Sequence, residues 1–398
     1  MKILRVINSM NPEKGGPCQG IRNTIPQIDL MGHVSEVVCL DDSADAWIGK
    51  DKFKVYAVGK ASGPWAYNKN LMGWLKENLG NYDAVIIHGL WQYHSYTVIK
   101  AVKNLRKSGK SAPMVYVMPH GMLDPYFQKA SGRKLKAIRN SVFWHIIESE
   151  VVNSADGILY TCQEELELAA QTFSNYRPKE VYNVGYGILQ PPVKSHVSID
   201  AFYSFCPEAK EKPFILFLSR VHEKKGVDLL LKAFDKVYNS QSNVPMLIVA
   251  GPGMDSEYGK SLQNIVAQSD FLKSNVRFVG MIQSDIKWSA FYNCEVFILP
   301  SHQENFGIAV AEAMACSKSV LISDKVNIWQ EIKNGRGGYV ENDTEQGTEK
   351  MLRQWLNTSA ADREMMANHA FETYKQFFTV EQAASNLLKV INTRTENA

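Results

Sequence analysis

Two carboxylates eight residues apart, Glu304 and Glu312, lie in the stretch Pro300 to Ala315, PSHQENFGIAVAEAMA. The apolar run Val296-Phe297-Ile298-Leu299 ahead of it stops at Pro300, as a buried parallel strand does. A polar turn holding Glu304 follows, then Asn305-Phe306-Gly307, then Ile308 and a run of small helix formers. Strand, turn and helix make half of a βα unit, and open parallel sheets bind ligands beyond the carboxyl ends of their strands. Amides at a helix start suit a phosphate, and Gly307 lets that backbone come close. Glu304 in the turn and Glu312 about two helical turns on reach different parts of one extended ligand. Carboxylates accept hydrogen bonds in pairs from vicinal hydroxyls. A ligand with a diphosphate in the middle and sugars at both ends fits. On spacing alone the same two residues read as solvated helix charges.

A second stretch adds cations. The strand Phe214 to Leu218 runs into Ser219-Arg220-Val221-His222-Glu223-Lys224-Lys225-Gly226 and then a helix. Arg220 offers a planar fork of donors and Lys225 a compact charge, both suited to a diphosphate at a βα turn. Taken singly, each also reads as an exposed surface cation. With these residues in view, the chain resembles the retaining glycosyltransferases of family 4, also called glycosyl transferases group 1. Their E-x7-E signature corresponds to Glu304 through Glu312. Their G-R-x-x-x-x-K-G pattern corresponds to Ser219 through Gly226, with Ser219 in place of the first Gly. The resemblance covers nearly the whole chain and is most specific between Ser219 and Glu312. It implies that the ligand is a nucleotide sugar, that Arg220 and Lys225 clamp its diphosphate, that Glu304 holds the sugar, that Glu312 holds the ribose and that Asn305, Phe306, Gly307 and Ile308 line the donor.

Earlier turns carry weaker signals. Lys2 to Asn8 reads as a strand, and Gly15-Gly16 sits in the turn before a helix from about Gly20 to Met31. It lacks the G-x-G-x-x-G spacing of a dinucleotide site, and a plain turn is the commoner reading. The resemblance places Gly15 and Gly16 against the donor diphosphate or the acceptor. Ala84 to Ile87 ends at His88-Gly89-Leu90-Trp91. His88 reads equally as a buried histidine bonded to backbone or, with Trp91, as part of an acceptor cleft. Val115 to Met118 ends at Pro119-His120-Gly121-Met122-Leu123-Asp124-Pro125, which resembles the subgroup that builds bacterial exopolysaccharide and cell-envelope polysaccharide. There the matching histidine bonds the transferred sugar, so His120 is the expected contact. Tyr186-Gly187 departs from the Asn-Gly of many relatives. Gly251 and Gly253 form a glycine turn near the sugar or diphosphate, and Met281-Ile282 is where relatives hold the base by backbone contacts.

At 398 residues, with 45% apolar and 21% charged residues, the chain can bury two α/β cores. A net charge of +3 is too small to point to nucleic acid. The start, MKILRVINSM, reads as a strand, not a signal peptide, and no apolar run is long enough to span a bilayer. Six scattered cysteines without C-x-x-C read as reduced thiols of a cytoplasmic protein. Basic residues from Arg133 to Arg139 precede Phe143-Trp144-His145-Ile146-Ile147. That segment reads as a solvated helix with a core side, or as peripheral contact with an anionic membrane carrying a lipid-linked acceptor.

Alternating strands and helices support α/β architecture in both halves. The resemblance implies GT-B, two Rossmann-like domains facing a central cleft. Expected boundaries are 1–190 for the acceptor domain, 191–375 for the donor domain and 376–398 for a helix returning to the first. The segment up to Lys212 reads as a polar linker, and Phe378-Thr379 as a hinge. The implied reaction is metal-independent, retaining transfer of a hexose to a hydroxyl, with UDP-glucose first among donors. Asp41, Asp42 and Asp45 are read as standing away from the cleft. A nucleotide-sugar epimerase of the same fold, or a non-catalytic nucleotide-sugar-binding protein, are the alternatives.

Overall fold

The computed structural model describes residues 1–129, 134–194 and 197–395. It divides into two compact units: residues 1–187 with 380–398, and residues 188–379. The expected boundaries at 190 and 375 fall three and four residues from these.

Among the described residues the first unit contains seven strands: β1 (Lys2–Ile7), β2 (Val34–Cys39), β3 (Val55–Ala57), β4 (Ala84–His88), β5 (Met114–Met118), β6 (Gly157–Tyr160) and β7 (Val181–Asn183). They form one parallel sheet in the order β3-β2-β1-β4-β5-β6-β7. A sheet with helices on both faces buries both sides of its strands, which explains the nearly unbroken apolar runs. The chain order reverses between β1 and β4, and such a switch point leaves a crevice at the carboxyl ends. The last helix, Val380–Thr395, belongs to this unit. Its Ala384, Leu387, Leu388 and Ile391 pack in one core with Ile3, Ile86, Tyr116 and Leu159.

The second unit has β8 (Phe214–Leu218), β9 (Met246–Ala250), β10 (Val276–Gly280), β11 (Val296–Leu299), β12 (Val320–Ser323) and β13 (Gly338–Glu341). Their order is β10-β9-β8-β11-β12-β13, again all parallel, with the switch point between β8 and β11. Two parallel-sheet Rossmann-like units are the α/β plan expected of GT-B.

One local expectation changes. The segment before Lys212 is no bare linker: Phe202, Cys206 and Ala209 are buried, and the Phe202 amide donates to Ser289 Oγ at 3.0 Å. Apolar side chains among its polar residues give it something to bury. The helix Gln163–Ala169 stops short of Phe173, which stacks on Trp144 at 4.7 Å. The break at Phe378–Thr379 falls between the helices Ala360–Phe377 and Val380–Thr395, where the two units divide.

Candidate functional site

In the second unit the expected donor residues flank the switch point. β8 delivers Ser219 and Arg220, and a single turn, Glu223–Lys225, follows. Gly226 closes it at φ 66°, where an added Cβ would lie 2.2 Å from the Pro300 carbonyl oxygen. Only glycine lets the β8 turn lie this close to the end of β11. That approach brings Lys225, 7% exposed, against Glu304 on the other turn. Its Nζ donates to Glu304 Oε2 and lies 3.4 Å from the Gln303 carbonyl oxygen. Glu304 is itself held by backbone, its amide donating to the Lys325 carbonyl at 2.9 Å and its carbonyl accepting from Asn327 at 3.0 Å. Arg220, by contrast, is exposed.

Gly251 and Gly253 act one step back from where the sequence placed them. A Cβ on Gly251 would lie 1.8 Å from the Ser219 carbonyl oxygen. The Val221 amide donates to the Pro252 carbonyl at 2.8 Å. The glycine turn therefore braces the Arg220 loop. Met281 is exposed and Ile282 is buried, beyond the end of β10. Gly307, at φ 83°, starts the helix Ile308–Ala315. The Phe306 ring is buried edge-on against Phe378 at 5.4 Å, so it packs the unit's core, while Asn305 beside it keeps partial exposure. Glu312 is no solvated helix charge: Lys287 Nζ lies 2.8 Å from its carboxylate and 4.0 Å from the Trp288 ring centroid. Sequence spacing offered no signal for Lys287.

The first unit's switch point is built differently. Asp41, read as standing apart, accepts from Ser9 Oγ at 2.6 Å and from the Met10 amide at 2.7 Å, bracing the turn that leads to Gly15–Gly16. Tyr186, the departure from the family pattern, donates to the Gly16 carbonyl at 2.6 Å. Gly15 is exposed at φ 89°. His88 at the end of β4 is buried, and its Nδ1 lies 3.0 Å from His120 Nε2. It binds side chains, not backbone; His94 Nε2 takes the His88 carbonyl at 2.9 Å. His120 stands at φ 52°, a left-handed conformation costly for a side chain with a Cβ. The next residue anchors it: the Gly121 amide donates to buried Glu165 at 2.5 Å, and Glu165 also accepts from Thr161. Glu165 lies in the first turn of the helix Gln163–Ala169, where its type and position alone suit the helix dipole. Burial, and then the Arg5 charge, lower His120 to about 3, so its imidazole is neutral.

Trp91 packs among Trp144, Phe143 and Phe173, and its amide donates to buried Glu148 at 2.9 Å. The half-buried indole packs against the apolar core of the unit. Arg133 lies outside the described residues. From 134 on, the aromatic part of the basic segment faces inward, with Trp144 fully buried. The exposed apolar residues are Leu135, Ile138, Val142 and Ile146, beside exposed Lys134, Lys136, Arg139 and His145. All six cysteines are buried and free. No described helix is long and apolar enough to cross a membrane.

With this geometry in place, comparison with known proteins defines the class. The family model described as glycosyl transferases group 1 matches residues 204–373, nearly all of the second unit. That segment is a group 1 glycosyl transferase domain, as the signature residues implied. An uncharacterized glycosyltransferase of Methanocaldococcus jannaschii is 26% identical over 185 residues, 45% of each chain. A phosphatidyl-myo-inositol mannosyltransferase of Mycobacterium tuberculosis is 29% identical over 153 residues, 37% of this chain and 38% of that one. The chain thus spans less than half the length of these curated relatives. Anabaena Alr3699/HepE, solved in complex with UDP and glucose, superposes with a TM-score of 0.72 over 99% of this chain and 100% of its own, at 17% identity. That likeness establishes the fold, which is GT-B.

Proposed function

We propose that the chain is a retaining hexosyltransferase that takes glucose from UDP-glucose and builds an envelope or exopolysaccharide acceptor. The observation that carries this reading is the Lys225–Glu304 pair at the β8/β11 switch point, with Arg220 exposed on the adjoining loop. Departure of a diphosphate develops negative charge, and a preorganised cation and fork of donors stabilise that charge more in the transition state than in the ground state. Glu304, oriented by Lys225 and by backbone, accepts hydrogen bonds from sugar hydroxyls. Glu312 takes the ribose hydroxyls, and the Met281–Ile282 backbone takes the base. His120 donates to the transferred sugar.

In the proposed step the acceptor hydroxyl oxygen bonds to the anomeric carbon on the face that the diphosphate leaves. The bond from that carbon to the diphosphate oxygen breaks, its electron pair stays with the diphosphate, and the acceptor proton passes to the departing phosphate oxygen. Arg220 and Lys225 supply the charge that a metal ion provides elsewhere, so transfer is metal-independent. UDP as the nucleotide draws support from the Anabaena protein's complex with UDP and glucose.

A lipid-linked acceptor is supported by the exposed aliphatic row Leu135, Ile138, Val142 and Ile146 flanked by Lys134, Lys136 and Arg139. Apolar residues at helical spacing beside cations match an anionic lipid surface at the inner face of the membrane. Co-sedimentation with phosphatidylglycerol vesicles but not phosphatidylcholine vesicles, abolished by Ile138→Glu, supports it; no difference between the two removes it.

The deciding experiment measures donor hydrolysis and thermal protection across UDP- and GDP-sugars, with and without EDTA. A ligand that binds only the folded state raises the melting temperature by mass action. Protection by UDP and UDP-glucose, unchanged by EDTA and lost in Arg220→Ala, is the expected result. No response to any nucleotide sugar overturns the donor assignment.

A further inference from the structure

Arg5 lies in the middle of β1, 2% exposed, with Ile3, Leu4, Val6 and Ile7 around it on the strand all apolar and buried. An unpaired buried cation costs several kcal/mol, so its neighbours are informative. Its Nη1 lies 3.5 Å from His88 Nε2, while its Nε and Nη2 have no hydrogen-bond partner. Among the described residues, the carboxylate that acts on it electrostatically, Asp29, is not hydrogen-bonded to it. Desolvation by burial lowers Arg5 to about 10, which leaves it charged at neutral pH.

A guanidinium has donors and no acceptor. Where it meets His88 Nε2, that nitrogen must accept. A neutral His88 then carries its proton on Nδ1, which faces His120 Nε2 at 3.0 Å. That proton is donated, so His120 Nε2 accepts in turn, and a neutral His120 carries its own proton on Nδ1. Both imidazoles are neutral: burial first, then neighbouring positive groups, hold each below the usual histidine range. Among the described residues, His94 Nε2 donates to the His88 carbonyl, and Glu165 accepts from the Gly121 amide and from Thr161.

We propose that Arg5 is a positioning residue that, through His88, fixes His120 as the Nδ1-protonated tautomer and so makes it a hydrogen-bond donor toward substrate. The link to substrate rests on the reading of His120 given above; the tautomer relay does not. A donor-only group at the buried end of a two-histidine chain dictates the direction of every hydrogen bond after it. A neutral residue in its place leaves both directions open. The relay explains why a cation persists in an apolar strand, since an isosteric apolar side chain there would remove its desolvation cost.

The test is nitrogen-15 NMR of histidine-labelled full chain at neutral pH, with Arg5→Met and Arg5→Lys beside the wild type. Wild type is expected to show both His88 and His120 protonated at Nδ1. Arg5→Met, with an unchanged or raised melting temperature, is expected to show a mixture of tautomers, and Arg5→Lys to restore the single form. In transfer assays Arg5→Met lowers kcat about tenfold, the worth of one hydrogen bond, with donor KM unchanged and no further loss in a His120→Ala background. An Nε2-protonated His120 in the wild type overturns the proposal with no variant needed. So does a single Nδ1 tautomer persisting in Arg5→Met, or in His88→Phe should Arg5→Met fail to fold. A correct tautomer pattern without any transferase activity keeps the relay and discards the sugar-contact reading instead.

Discussion

The two units repeat one plan, a parallel sheet with a reversal near its middle, yet they furnish the crevice at the reversal in opposite ways. In the second unit the switch point carries formal charge within reach of solvent: exposed Arg220 and the Lys225–Glu304 pair. In the first it carries neutral imidazoles, His88 and His120, with the only cation among these three residues, Arg5, sealed in the sheet. Charge suits a diphosphate, whose own charge grows as it leaves. Neutral donors suit hydroxyls, for which a charge adds desolvation cost with little gain. The shared topology supplies the place, and the residues at the strand ends decide which part of a ligand that place can hold.

The comparison breaks most easily at Lys225. Lys225→Ala is expected to reduce kcat about 10²–10³-fold and to abolish thermal protection by UDP, because Glu304 is left as an uncompensated carboxylate facing the anion. Retention of both transfer and UDP protection would place the donor elsewhere. His120→Ala sharpens the contrast from the other side: transfer falls about tenfold or more while UDP protection stays at the wild-type level. Loss of UDP protection in that variant would erase the division of labour.

Stability offers a third test, confined to the first unit. Burial raises the Glu148 carboxyl to about 8, above its ordinary value, so the folded chain keeps a proton that the unfolded chain releases. The stabilisation is complete below the ordinary carboxyl range and drains away as pH rises toward that raised value. The wild-type melting temperature should therefore fall from about pH 5 to about pH 8, and Glu148→Gln, neutral throughout, should flatten that slope. An equal slope in the variant would assign the pH dependence to other groups. The smallest effect concerns the glycine loop. Tyr186→Phe removes one hydrogen bond to Gly16 and should cost about 1 kcal/mol, read as a melting shift of about 2 °C.

How legible each half was follows from the range of its interactions. Strand ends, glycine turns and helix starts are encoded within a few residues, so β8 with Arg220 and Lys225, and β11 with Glu304 and Gly307, could be located from local chemistry and patterning. Partners could not. Lys225 and Glu304 are 79 positions apart and Lys287 and Glu312 are 25 apart, so no local pattern joins them. Glu165 shows the limit plainly: on a helix's first turn it reads as a dipole charge, and only the fold turns it onto the Gly121 amide. Phe306 reads as a donor-lining aromatic, because sequence shows that a ring is present and not which side of a loop it packs on.

The sequence by itself therefore determined the α/β alternation, the strand ends and the residue types offered there, since these depend on periodicity and on backbone chemistry local to each turn. Only the tertiary structure decided which of those residues are charged, paired or neutral. It packed Arg5 into the sheet beside His88 and brought Gly226 within touching distance of Pro300. Hydrogen-bond direction and desolvation depend on neighbours that the chain brings together only when it folds.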